Sequence, residues 1–289
     1  MGEHLNAREL GGPGVQTRNG VCHFTAPTDV DAALLARDIL DYLPQSAGGR
    51  PVRWPTTEAP GLSPDAAVPH EARGVYDMRT VIRSISDGGR LLEMSPRWAR
   101  NIVTAFARID GRAVGVIANQ PKFLGGVLDT EASEKGAKFV DLCNRFGLPL
   151  VVLADTPGFL PGATQERAGV LRHGASLLRA FSRARVPRVT VTLRQAYGGA
   201  HIVMNSRDLG ATMTYAWPGA RIGVMGAQQA VELVRRREIA AGADPVALAD
   251  EYAAEHLPVR VAADAGFIDE VVEPRETRDR IAHVLELAA

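Results

Sequence analysis

Long apolar runs are missing. No stretch of 18 consecutive apolar residues occurs, so no membrane-spanning helix is expected. The opening MGEHLNAREL has no apolar centre, so no secretory signal is expected there either. Cysteine is scarce. Cys22 and Cys143 are the only two, which excludes a disulfide framework and zinc-ligand spacing and fits a reducing, cytoplasmic setting. An excess of one charge is also absent. Lys and Arg total 33, Asp and Glu total 33, and the formal net charge is zero. That argues against nucleic acid or an anionic membrane as the partner. No metal-ligand cluster is expected.

What is present suits a globular α/β protein. The chain has 289 residues, 46% apolar and 23% charged, enough for one large domain or two small ones and for a sizeable core. Gly11-Gly12-Pro13-Gly14 and Asn19-Gly20 mark turns before a short apolar piece at residues 21–24. Thr28 caps a helix predicted over residues 29–43, with Leu and Ile at three- and four-residue spacing and Pro44 as its stop. Residues 44–74 are rich in Pro, Gly and Ala and read as an extended linker on a surface.

Regular structure resumes at Tyr76. A short helix is expected over residues 77–85, then a hairpin of residues 102–109 and 112–118 about Asp110-Gly111. Thr130 or Ser133 caps a helix over residues 132–142. Buried strands are expected at residues 148–154 and 186–193, joined by one long helix over 165–185. Cys143 reads as packing, and His173, inside the long helix, as core or interface. Strands follow at 209–215 and 220–224, helices at 228–239, 245–254 and 276–287, and a short strand after residues 264–269. Arg235-Arg236-Arg237-Glu238 reads as a solvated helix face. Strands alternating with helices at this spacing predict an α/β fold on a largely parallel sheet.

The chemistry is expected at Gln195-Ala196-Tyr197-Gly198-Gly199-Ala200-His201-Ile202-Val203-Met204-Asn205-Ser206. A buried strand precedes this stretch and an apolar run without breakers follows it. Gly198, Gly199 and Ala200 therefore fall at a strand-to-helix turn where another molecule can approach the main chain. A helix start offers N–H groups without intrahelical acceptors and a partial positive charge. Together these make an oxyanion hole; the alternative is a glycine turn that serves only close packing. Asp155 ends a buried strand, a frequent position for a functional residue in α/β sheets, with helix capping the favoured reading.

Eight ordered motifs carry a family resemblance: Asn119-Gln120-Pro121, Gly125-Gly126-Val127-Leu128-Asp129, Ala132-Ser133-Glu134-Lys135, Asp155-Thr156-Pro157-Gly158-Phe159-Leu160-Pro161-Gly162, Arg172-His173-Gly174-Ala175, Tyr197-Gly198-Gly199-Ala200, Ala216-Trp217-Pro218 and Val224-Met225-Gly226-Ala227. Together they resemble the carboxyltransferase β subunit of biotin-dependent acyl-CoA carboxylases, well over residues 75–273 and more loosely over 5–75. The resemblance implies the crotonase-like ββα spiral. It also implies a division at residue 75, with residues 1–75 as the tail of an N-terminal carboxyltransferase domain, a connecting helix and a linker, and residues 76–289 as the C-terminal domain. The family normally carries two such domains in tandem. The half that holds most of the acyl-CoA lies outside the match, and the chain's opening Met1 favours a separate subunit as its source.

By that resemblance the cofactors are biotin, carboxylated on a carrier protein, and a coenzyme A thioester as substrate. The partners are an N-terminal-type carboxyltransferase subunit and the biotin carboxylase and carrier, in a hetero-oligomer. The main-chain N–H groups of Gly199 and Ala200 would serve the biotin ureido oxygen, with Gly198 in the same turn. Gly125, Gly126, Gly158, Phe159 and Tyr197 would line the biotin side, turn and packing roles being the alternative. Ile202 would face the acyl chain, with core packing as the alternative, and His201 would bond a partner or substrate, with a structural role favoured. A decarboxylase of the same family is a second reading and a non-catalytic structural subunit a third. A crotonase-type hydratase needs a carboxylate beside the turn, and residues 197–206 contain none.

Overall fold

The computed structural model describes residues 5–46, 48–69, 71 and 74–288. Its eight strands are β1 (Leu92–Met94), β2 (Ile102–Ile109), β3 (Arg112–Asn119), β4 (Leu150–Thr156), β5 (Arg188–Tyr197), β6 (Met213–Ala216), β7 (Arg221–Gly223) and β8 (Glu270–Val271). They form one sheet in the order β1-β2-β3-β4-β5-β6-β8, with β7 pairing the far end of β5. The pairs β1–β2 and β2–β3 are antiparallel and the remainder parallel. The sheet is therefore mixed, antiparallel at the edge formed by β1, β2 and β3 and parallel from β3 to the opposite edge at β8.

The β2–β3 hairpin forms because Asp110 and Gly111 both adopt positive φ, 52° and 74°. That is the twist a two-residue turn needs to match its strands. The central strands are covered on both faces, which is why they read as continuous apolar runs. On one face Phe106, Ile117, Val152 and Ala154 pack with Phe139, Leu177 and Phe181 from the helices Thr130–Arg145 and Val170–Arg183. On the other, Val103, Val116, Val151 and Val191 pack with Ile82, Ile85, Ile281 and Leu285 from the helices Met78–Ile85 and Thr277–Leu287.

Several expectations are corrected. The helix at residue 129 is capped by Asp129, whose carboxylate accepts from Ala132 N at 2.8 Å, so it begins at Thr130 and neither Thr130 nor Ser133 is the cap. The long helix is two helices, Ala163–Ala168 and Val170–Arg183, because Gly169 takes a left-handed conformation between them. The helix after Thr28 runs Asp29–Leu40, shorter than predicted, and none of its residues is buried; Val30, Leu34 and Leu40 face outward. His173 is not a core residue, since its Nδ1 lies 2.8 Å from Glu134 Oε1 on the adjacent helix at a part-exposed position. The helix predicted over 228–239 is divided at Arg235 into Ala227–Val234 and Arg236–Ala240. The short strand β1 and the helix Val259–Asp264 were not anticipated. Cys143 is fully buried, as expected of a packing residue.

The chain on either side of residue 44 is held against the sheet, in keeping with the surface-lying linker expected over residues 44–74. The Tyr42 ring stacks on Phe106 at 5.6 Å. Trp54 covers the Arg108 guanidinium at 4.1 Å, and Arg108 donates to the carbonyls of Asp41, Val52 and Gly111. Its only helical turn among the described residues is Pro64–Ala67.

Candidate active site

Three glycine-bearing turns meet at the carboxyl ends of β3, β4 and β5. Leu128 N donates to the Gly158 carbonyl at 3.0 Å and Leu160 N to the Leu128 carbonyl at 2.7 Å, which ties residues 125–128 to residues 157–160. The Phe159 ring then lies between Gly174 and Gly199. A Cβ added at Gly174 would sit 2.9 Å from Phe159 Cζ, and one at Gly199 would sit 3.6 Å from Cε2. Gly125, Gly126, Gly158, Phe159, Tyr197, Gly198 and Gly199 thus share one end of the sheet, the end where α/β proteins commonly bind ligands.

Two of these glycines are sterically forced. Gly126 has φ of 78°, and a Cβ there would fall 2.7 Å from the Asp155 carbonyl oxygen. Gly198 has φ of 57°, and its Cβ would fall 2.8 Å from the Val224 carbonyl oxygen. Side chains rarely adopt these angles, and the main chain cannot retreat from both neighbours.

The short helix Gly198–Val203 starts directly from the end of β5. Tyr197 is its N-cap and supplies no side-chain hydrogen bond. As the second and third residues of the helix, Gly199 and Ala200 present N–H groups that have no intrahelical acceptor. Among the described residues, no loop carbonyl or side chain accepts from either. Gly199 is exposed, Gly198 is part-exposed and Ala200 is buried. Tyr197 is buried, its ring turned toward Gly226, and burial pushes its phenol upward. His201 is part-buried. Burial lowers its pKa, opposed by the charge of Asp208, so the imidazole is neutral near pH 7. Ile202 is 44% exposed, which removes the core-packing alternative. Val224, whose carbonyl faces Gly198, is exposed as well.

The framework behind the turns depends on polar residues, of which the sequence reading weighed Asp155 chiefly as a helix cap, quoted Asn119 only within a motif and did not raise Arg194. Asn119 is fully buried at the end of β3. Its Oδ1 accepts from Asp155 N and its Nδ2 donates to the Gly126 carbonyl, each at 3.1 Å. Asp155 is not a helix cap. Its Oδ2 accepts from Tyr76 Oη at 2.7 Å and from Arg194 Nε at 2.8 Å. Arg194 reaches it from an irregularity in the β4–β5 ladder, where Ala154 pairs Thr192 but Thr156 pairs Ala196. Arg194 also donates to the carbonyls of Glu71 and Gly74, which draws the linker onto this end of the sheet. Burial pushes the Asp155 carboxyl up, while Arg194 and Tyr76 favour its ionised form. Burial, reinforced by the Asp155 charge, pushes the Tyr76 phenol well up. A buried polar residue at the end of an apolar strand, as in Ala118-Asn119-Gln120, is the signal that pointed here.

A spiral of strands and helices with main-chain donors held beside glycine turns defines an α/β protein of the crotonase-like carboxyltransferase class. Its similarity to solved members supports that placement. A crystal structure of transcarboxylase 12S with methylmalonyl-coenzyme A and methylmalonic acid bound superimposes with a TM-score of 0.95 at 43% identity, covering 99% of this chain and 56% of that one. The chain belongs to the carboxyl transferase domain family, whose model matches residues 1–289. It is 44% identical over 303 residues to the methylmalonyl-CoA carboxyltransferase 12S subunit of Propionibacterium freudenreichii subsp. shermanii, covering 100% of this chain and 56% of the relative. It is 44% identical over 288 residues to the propionyl-CoA carboxylase carboxyltransferase subunit of Haloferax mediterranei, covering 97% and 56%. The chain spans about half the length of the curated relatives it matches.

Proposed function

We propose that this chain is the biotin-side half of a carboxyltransferase that moves a carboxylate between carboxybiotin on a carrier protein and the α-carbon of a short acyl-CoA. The observation that carries this reading is the pair of main-chain N–H groups at Gly199 and Ala200, at the head of a helix and without an acceptor beyond it among the described residues. Carboxybiotin would supply the transferable carboxyl group and, once that group has left, a nitrogen able to take the substrate's α-proton. The residues present fit such a group. Gly199 is exposed, and a Cβ at Gly125 or Gly158 would meet nothing within 4 Å, so the cradle is open toward a flat ring.

The work of this chain is then electrostatic. Gly199 and Ala200 hold the ureido oxygen as negative charge grows on it, and their donors are fixed before the reaction begins. Removal of one such donor typically costs about 10²–10³ in rate. Phe159 sets the outer wall of the cradle. Neutral His201 adds no charge to it, and Ile202 offers an apolar surface to the acyl chain. The same contacts serve transfer in either direction, so a decarboxylase would use them too.

In this reading residues 1–75 are the tail of the preceding carboxyltransferase domain with its connecting helix and linker, and residues 76–289 are the second domain. The cradle for the thioester oxygen comes from the acyl-CoA-binding half, on whichever polypeptide carries it. The test is reconstitution. The chain is mixed with an N-terminal carboxyltransferase half, a biotinylated carrier loaded with labelled carboxylate, and acetyl- or propionyl-CoA. Labelled carboxyacyl-CoA should form only when both halves are present. Full activity from the 289-residue chain alone, or none from the mixture, would overturn the proposal.

A further inference from the structure

A cavity of about 930 Å³ opens at the edge of the sheet opposite the glycine turns. Its base is the chain entering the parallel strands: Arg112 and Ala113 at the start of β3, Pro149 before β4, and Val186 and Pro187 before β5. One wall is the end of the Thr130–Arg145 helix, and the other is residues 44–46, 48–51 and 53. β5 alone is ten residues long, so about 30 Å separates the two edges.

Five arginines line this cavity, Arg50, Arg53, Arg112, Arg145 and Arg185, and among the described residues no aspartate or glutamate does. Arg53 and Arg112 are engaged with Asp110 and Glu286. The guanidinium groups of Arg50, Arg145 and Arg185 have no hydrogen bond or ion pair among the described residues. Arg145 lies in the last turn of its helix, where a cation offsets the helix's negative end. That ordinary role accounts for about half a charge, and three unpaired guanidiniums around one concavity exceed it. The remaining lining is apolar, with Phe146, Val186, Pro187 and Leu285 facing the same space.

We propose that this cavity binds an organic polyphosphate of the nucleoside di- or triphosphate kind. Arg50, Arg145 and Arg185 take the phosphates, and Phe146 with the neighbouring prolines takes the organic part. The planar guanidinium fork matches phosphate oxygens two at a time. The volume suits a ligand of that size, whereas an extended acidic protein surface would call for a flat basic face. The proposal is independent of the carboxyltransferase reading, because none of its residues lies at the glycine turns.

The test is titration calorimetry on the whole chain at about 50 mM salt, where screening is modest, with ATP, AMP and inorganic tripolyphosphate as probes. ATP and tripolyphosphate should bind, with AMP about tenfold or more weaker. Arg145→Gln/Arg185→Gln should weaken ATP about tenfold or more, while Arg236→Gln, on an exposed helix elsewhere, leaves it unchanged. A second measurement needs no variant: ATP should protect Arg145 and Arg185 from phenylglyoxal modification, read by mass spectrometry. No heat with ATP, equal binding by the double variant, or equal labelling of both arginines with and without ATP would overturn the proposal.

Discussion

The Tyr76 hydroxyl donates to Asp155 Oδ2 at 2.7 Å across a sequence separation of 79 residues. This bond joins the end of the linker to the strand that carries the Gly158–Phe159 turn. Both partners are buried, so water cannot replace the donor if it is removed. Tyr76→Phe should therefore lower stability by about 1.5–3 kcal/mol, the range for a hydrogen bond to a charged group. Tyr42 is the control. Its ring packs on Phe106 but its hydroxyl makes no hydrogen bond among the described residues, so Tyr42→Phe should stay within about 0.5 kcal/mol. Urea unfolding of the two variants compares them directly, and equal stability would mean that Arg194 alone satisfies the carboxylate.

Gly125 and Gly126 are adjacent, both have positive φ, and they should respond differently to alanine. At Gly125, φ is 63° and a Cβ meets nothing within 4 Å. Only the left-handed conformation opposes substitution, and Gly125→Ala should cost about 1–2 kcal/mol. At Gly126 the Cβ would also lie 2.7 Å from the Asp155 carbonyl oxygen and 3.3 Å from Asn119 Cβ. Gly126→Ala should cost about 3–5 kcal/mol, within the range of severe single substitutions. Chemical denaturation should show the second variant's midpoint well below the first. Coincident midpoints would show that the loop moves away from β4 at little cost.

The two glycines also show how far the sequence can be read. Gly-Gly or Pro-Gly after an apolar strand announces a turn, and the turns at residues 125, 158 and 198 were all legible in that way. Which glycine is compelled was not legible, because the clash comes from carbonyls of Asp155 and Val224, distant in the chain. The same holds for Asp155 itself. Its partners lie 39 and 79 residues away, so a local reading as a helix cap had nothing to correct it. The hairpin at Asp110-Gly111 and the helix over Met78–Ile85 were readable because turn angles and apolar period are local properties. The helix Asp29–Leu40 shows the converse. Its leucine spacing predicts a helix correctly, but the spacing does not reveal that Val30, Leu34 and Leu40 remain exposed.

Lys135 offers a test by pH. Its ammonium is buried, and Nζ donates to the carbonyls of Trp98, Ala99 and Ile102 at 2.9, 3.4 and 2.8 Å. Burial lowers its pKa from 10.5 to about 8. Between those values the unfolded chain still holds a proton that the folded chain has released, so stability from this group rises with pH. Below about pH 8 both states are protonated and the full cost of burying the charge is felt. Relative to Lys135→Met, the wild type should gain up to about 3 kcal/mol between pH 8 and 10.5. The comparison cancels other alkaline titrations, the buried tyrosines included. A flat difference across that window would mean that the folded ammonium keeps its ordinary pKa.

Gly199→Val separates folding from the proposed chemistry. Gly199 is exposed and sits in the first turn of a helix, and its added Cβ would make only ordinary contacts, 3.6 and 3.7 Å, with the Phe159 ring. The fold therefore has room for a side chain, and the variant's unfolding midpoint should correspond to a change within about 1 kcal/mol. The space a valine takes beyond its Cβ is the space in front of the Gly199 and Ala200 amides, where the ureido oxygen is proposed to lie. Transfer in the reconstituted mixture should fall by about 10²-fold or more, with the effect on kcat rather than on the KM for acyl-CoA, because the thioester is proposed to be held by the other half. Retained turnover with unchanged stability would place the oxyanion contact elsewhere. A rise in KM alone would instead mean that the turn contacts the acyl-CoA and that the biotin-side assignment is reversed.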